Sequence, residues 1–132
     1  MKARIKTTSL RQLLCANLTE IHSEQIKEIC KYHGVSVIET NDMKTPLAVL
    51  LGEVSSLESD CEKYPDTESE CVLFAGINQA ELYDILNDFK IKGIYIPLKA
   101  IYTSFNCSWS LRHLVNELTE EHKRMTGGVS NA

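Results

Sequence analysis

One order of patterns is written twice along this chain, and few folds accept it. An apolar run, LRQLLCANL (residues 10–18), precedes a segment in which Ile26, Ile29, Cys30 and His33 recur at helical spacing. Ser23 offers an N-cap for that segment and Gly34 a stop. A β-branched run, VSVIET (35–40), follows. Thr45-Pro46 then opens a short periodic stretch, Leu47, Leu50, Leu51 and Val54, with Gly52 inside it. The second half repeats the plan. CVLFAGI (71–77) reads as a buried strand, and Asn78 with Glu81 as a capping-box-like start. Leu82, Ile85, Leu86 and Phe89 then share one helical face, and Gly93 ends the unit. IPLKAIYT (96–103) is the next strand, with Pro97 near its beginning, where a missing N–H is tolerated. The spacing predicts a last helix from about Ser108 to Met125, with Leu111, Leu114, Val115, Leu118, His122 and Met125 on one face and Gly127-Gly128 as its stop.

Strands alternating with helices predict an α/β fold: two βαβα units forming a four-stranded, mostly parallel sheet, with helices packed on it, in the strand order 2-1-3-4. The alternative is an α+β ferredoxin-like core with extra helices. The chain is read as a single domain over 1–132, with a first unit at 1–54, a polar, acidic linker at 55–70 and a second unit at 71–125. The likeness of LLCANL to VLFAGI adds the reading of an internal repeat.

Charge and cysteine content narrow the function classes. Lys2, Arg4, Lys6 and Arg11 make the beginning basic, whereas Glu53 to Glu70 holds seven acids and one lysine. That block argues against a nucleic-acid surface. The longest strictly apolar runs, 47–51 and 71–75, cannot cross a bilayer, so no membrane partner is expected. Five cysteines, an odd number without a Cys-x-x-Cys pair, predict reduced thiols and a cytoplasmic location. His22, His33, His113 and His122 form no zinc spacing with them, so no metal is expected. Nothing in the motifs identifies a cofactor.

Two places could carry chemistry. In an open parallel sheet the ligand crevice lies at the carboxyl ends of the strands, which predicts a site between Asn17–Ser23 and Gly76–Asn78. The other is the segment PLKAIYTSFNCSWSL (97–111), dense in polar and capping residues ahead of a helix. Lys99, Thr103, Asn106, Ser108 and Trp109 are its candidate ligand-binding residues, with Ser108 or Asn106 capping the helix and its N-terminus favouring an anion. Plain helix capping, with Trp109 as packing, explains the same letters. Cys107 just before a helix could be an activated nucleophile, but His113 is six positions on and faces roughly the other way.

PLKAIYTSFNCSWSLRHLVNELTEEH (97–122), preceded by VLFAGINQAELYDILNDFKIKG (72–93), resembles a bacterial family catalogued as a domain of unknown function and numbered thirty-seven eighty-three. The matching positions are Pro97, Leu98, Lys99, Ala100, Thr103, Asn106, Trp109, Glu117, Leu118, Glu121 and His122. The first half resembles the region that often precedes this domain, less specifically. The family's pattern has a basic or polar residue where Cys107 stands, which puts a shared cysteine mechanism in doubt. The resemblance implies small cytosolic bacterial proteins and no established activity. The sequence reading is therefore a non-enzymatic binding or regulatory module for a small anionic ligand. A homodimer built on the last helix or Trp109 is the first alternative, and a thiol enzyme using Cys107 the second.

Overall fold

The computed structural model describes residues 11–131, with side chains described through Met125. Lys2, Arg4 and Lys6, part of the basic beginning noted above, lie outside the described residues. In chain order the elements are β1 (Gln12–Ala16), α1 (Glu20–His33), β2 (Ser36–Thr40), α2 (Leu47–Leu50), a 3-10 turn (Cys61–Lys63), β3 (Cys71–Ala75), α3 (Gln79–Lys92), β4 (Lys99–Ile101) and α4 (Leu111–Asn131). The four strands lie in the order β2-β1-β3-β4, an α/β sheet in the anticipated order. β1 pairs with β2, and β3 with β4, in parallel.

The central pair departs from that pattern: β1 and β3 are antiparallel, with Gln12 opposite Ala75 and Ala16 opposite Cys71. The cause is the connection between the halves. A parallel neighbour needs a crossover that carries the chain back to the other end of the sheet. Here α2 spans only four residues, and the chain leaves β2 at Thr40 and re-enters at Cys71, at the same end of the sheet. The crevice expected between Asn17–Ser23 and Gly76–Asn78 therefore does not exist, because the two turns sit at opposite ends of the sheet.

Both faces of the sheet are covered. Leu13, Cys15, Val72 and Phe74 point into a cluster with Ile26, Ile29 and Cys30 of α1 and Ile85 and Phe89 of α3. Leu14, Ala16, Cys71, Leu73 and Ala75 point the other way, against Leu47 of α2 and Leu111, Leu114 and Val115 of α4. Alternate residues of one strand thus serve two cores, and a strand buried on both sides reads as an unbroken apolar run.

The two βαβ units match in their local grammar. Gln12 to Cys71, Glu20 to Gln79 and Gly34 to Gly93 are equally spaced, and α1 and α3 each span 14 residues. Asn17 and Gly76 both take positive φ, at 58° and 71°. The cap of α1 is Thr19, whose hydroxyl accepts from His22 N, one turn earlier than Ser23. Asn78 caps α3, accepting from Glu81 N at 2.8 Å. Gly34 and Gly93 end these helices at φ 71° and 75°, the left-handed region that a Cβ disfavours. No atom lies within 4 Å of a Cβ placed on Gly34, so Gly34→Ala is expected to cost the backbone penalty alone, about 1–2 kcal/mol. Urea unfolding checks this: the midpoint should fall at an unchanged slope.

α4 begins at Leu111, later than the sequence suggests, because Ser110 is its cap: the hydroxyl accepts from His113 N at 3.2 Å. The helix runs through Gly127-Gly128 to Asn131. A glycine lowers helix propensity by about 1 kcal/mol without forbidding the conformation.

Candidate functional site

The parallel strands β1 and β2 end side by side at Ala16 and Thr40. Beyond those ends lies an open cleft of about 750 Å³. Its floor is apolar, from Cys15, Leu18 and Met43, and its walls are polar, from Asn17, Glu39, Thr40 and Asn41. The far wall comes from Asp66, Thr67 and Glu68 of the segment 55–70, which crosses the cleft as a strap.

Two acids of the strap, Asp60 and Glu70, are fastened to helix starts, where free N–H groups and the helix dipole favour negative charge. Asp60 accepts from Ser110 N at 3.0 Å, at the start of α4, and its other oxygen meets His113 Nδ1 at 2.6 Å. Glu70 accepts from Thr19 N at 2.9 Å, at the start of α1, and lies 2.7 Å from His22 Nδ1. Between them, Arg112 Nη1 donates to Cys61 O at 3.2 Å and Asn17 Nδ2 to Ser69 O at 3.1 Å. The His113 ring lies between two aromatic faces, Tyr64 of the strap at 4.2 Å and Trp109 at 3.9 Å, both nearly parallel to it. The strap is thus latched to the first turn of α4 by charge, hydrogen bonds and stacking together.

Burial acts to raise the Asp60 carboxyl, but the hydrogen bonds from Ser110 and His113 outweigh it and leave the group below the usual carboxylate range. A carboxyl depressed by folding adds stability above its unfolded value, about 3.9, and loses that contribution as pH falls through the lower folded value. Acid should therefore release this latch below about pH 4. Trp109, the only tryptophan, reports on it: its fluorescence should change in that range, and Asp60→Asn should remove the transition.

The residues singled out in the sequence fall into separate roles. Asn106 is buried: its Oδ1 accepts from Thr103 N at 2.9 Å and its Nδ2 donates to Ile101 O at 3.0 Å. Thr103 Oγ1 in turn accepts from Phe105 N at 3.1 Å. These two residues are therefore brought together, as the structure of the loop between β4 and α4. Lys99 donates its ammonium to Ile96 O, and burial lowers its pKa. Ser108 is exposed, and Trp109 packs on His113. Cys107 Sγ contacts Ser104 O at 3.5 Å, while His113 Nδ1 serves Asp60. The loop also supplies carbonyls to the free N–H groups of α2: Cys107 O accepts from Ala48 N at 2.9 Å and Trp109 O from Leu47 N at 2.8 Å.

Asp60, Asp66 and Arg112 were not legible as site residues. Arg112 carried one signal: a cation in the first turn of a helix opposes the dipole and calls for another reason to be there. Among the described residues no group of three or more His, Cys, Asp or Glu side chains could hold a metal ion. No helix among them is long and apolar enough to cross a membrane. The arrangement suits the binding of a small polar molecule against an apolar floor.

Residues 70–125 match a family model described as a domain of unknown function (DUF3783). No curated protein and no solved structure matches the chain.

Proposed function

Through residues 70–125 the chain belongs to the DUF3783 family, which prescribes no chemistry, and from the site itself we propose a non-enzymatic module that binds a small polar ligand. The observation that carries this is the cleft of about 750 Å³ at the carboxyl ends of β1 and β2, the end of a parallel pair where α/β proteins hold ligands. Its far wall is a strap latched to α4, so occupancy of the cleft acts on the family segment through Asp60, Tyr64 and Arg112. Five unpaired cysteines fit a reducing compartment, the cytoplasm. The matched grammar of the two βαβ units supports an internal repeat.

Amide NMR spectra recorded with nucleotides, sugar phosphates, amino acids and polyols at millimolar levels test the binding reading. A ligand should move the amides of Thr40, Asn41 and Thr67, and Glu68→Trp, which fills the cleft, should abolish the response. If no compound moves those amides, the reading falls.

A homodimer is the second reading. Tyr32 and Ile91, 84% and 73% exposed, flank a groove of about 370 Å³ between α1 and α3. A monomeric mass by sedimentation across a wide concentration range would exclude it.

A further inference from the structure

Resting on the ligand-binding reading, we infer that Lys44 and Arg112 form an anion pocket beside the main cleft, and that it takes the phosphate group of a small organic phosphate. The pocket, of about 150 Å³, is lined by Asn41, Asp42, Met43, Lys44, Asp66 and Arg112. That is room for roughly five waters at about 30 Å³ each, enough for a phosphate group. Asn41, Met43 and Asp66 also line the main cleft, so one molecule can occupy both.

Arg112 is the centre of the site. Its Nε is buried with no hydrogen-bond partner in the protein, a costly state for a charged donor. The nearest acid, Asp66, stands 3.6 Å away, too far for a hydrogen bond. The guanidinium is held in place by the Nη1 bond to Cys61 O, and its Nε becomes available to a ligand only when Asp66 moves aside. Asp66 is 70% exposed and belongs to the strap, so it is a weakly held internal stand-in for an incoming oxyanion. The second carboxylate of the pocket, Asp42, also feels the charge of Lys44, but its hydrogen bonds are spent within its own loop. Asp42 is turned into its own loop, accepting from Lys44 N at 3.0 Å, Thr45 N at 3.1 Å and Thr45 Oγ1 at 2.7 Å. Arginine presents a fork that matches phosphate oxygens, and Lys44 adds a mobile point charge. The main cleft is lined by Glu39, which Lys27 pairs at 2.7 Å, and by Asp66 and Glu68, with no lysine or arginine in its lining, so the ligand's other end bears hydroxyl or amine groups.

Inorganic phosphate, titrated at constant ionic strength and followed by calorimetry and amide NMR, tests the anion pocket alone. Native protein should bind it, with shifts centred on Lys44 and Arg112. Lys44→Gln and Arg112→Gln should each weaken binding about tenfold. Asp66→Asn, which removes the stand-in, should tighten it about two- to fivefold. A purely structural Arg112 would leave phosphate affinity untouched by Asp66→Asn and Lys44→Gln. Lys44 is exposed, so its variant should stay folded even if Arg112→Gln does not. No phosphate binding at millimolar levels, or binding indifferent to Lys44→Gln, overturns the inference. Glu68→Trp separates the two readings. It should leave inorganic phosphate binding intact while blocking larger ligands. An organic ligand that binds the cleft but ignores Lys44→Gln keeps the cleft and removes the anion pocket.

Discussion

Leu73→Ala should remove about 3–5 kcal/mol, the largest effect expected from a single residue here. Leu73 is fully buried at the middle of β3, opposite Leu14 of β1 on one side and Ala100 of β4 on the other. Its side chain fills the layer between the sheet and α4, with Leu111 and Leu114 in the same cluster. Backbone pairing on both sides fixes β3, so the space left by the missing atoms cannot close by moving the strand. A domain is stable by only about 5–15 kcal/mol, so the variant should unfold in far less urea. Trp109 fluorescence measures it, and a loss under about 1.5 kcal/mol would show that α4 settles into the gap.

Asn106→Leu should cost about 2–4 kcal/mol. The branching and number of side-chain heavy atoms are kept, although leucine is bulkier, and most of the effect comes from two backbone groups, Thr103 N and Ile101 O, that lose their partners. Asn106 is 8% exposed, so water cannot readily replace the amide. The damage should be local as well as global. The loop carries the carbonyls of Cys107 and Trp109 that hold the start of α2. Hydrogen exchange at Leu47 and Ala48 should therefore speed up more than at Ile26 in the opposite core. Equal acceleration at all three sites would show that Asn106 contributes to overall stability but does not hold the loop.

These two residues show how differently fold and site could be read. Leu73 sits in CVLFA, and any apolar run of that length between turn residues announces a buried strand. Asn106 was visible as an unusual polar residue, but its letters suit a ligand contact and a loop clamp equally. Only the positions of Thr103 N and Ile101 O give its hydrogen bonds an address. Arg112 and Asp60 were harder still. Asp60 belongs to an acidic stretch that reads as solvated linker, and its partner His113 lies 53 positions away. No spacing rule connects the two. The family likeness marked Lys99, Thr103, Asn106 and Trp109, and in the structure Asn106 and Thr103 tie the loop while Trp109 packs beside the latch.

What the sequence determined by itself is everything governed by short-range physics. Apolar period set the helices and strands, the free N–H groups at α3 chose Asn78, and the left-handed turns required Gly34 and Gly93. The strand order was anticipated from the alternation of those elements. What only the tertiary structure decided is the direction of β3 against β1, and with it the site. Antiparallel and parallel pairings use the same apolar strand, and the choice fell to a connection that returns from Thr40 to Cys71 at one end of the sheet. That return removed the crevice between the two first turns. It laid the strap across the ends of β1 and β2 instead, bringing Asp66 to Arg112 and Tyr64 to His113.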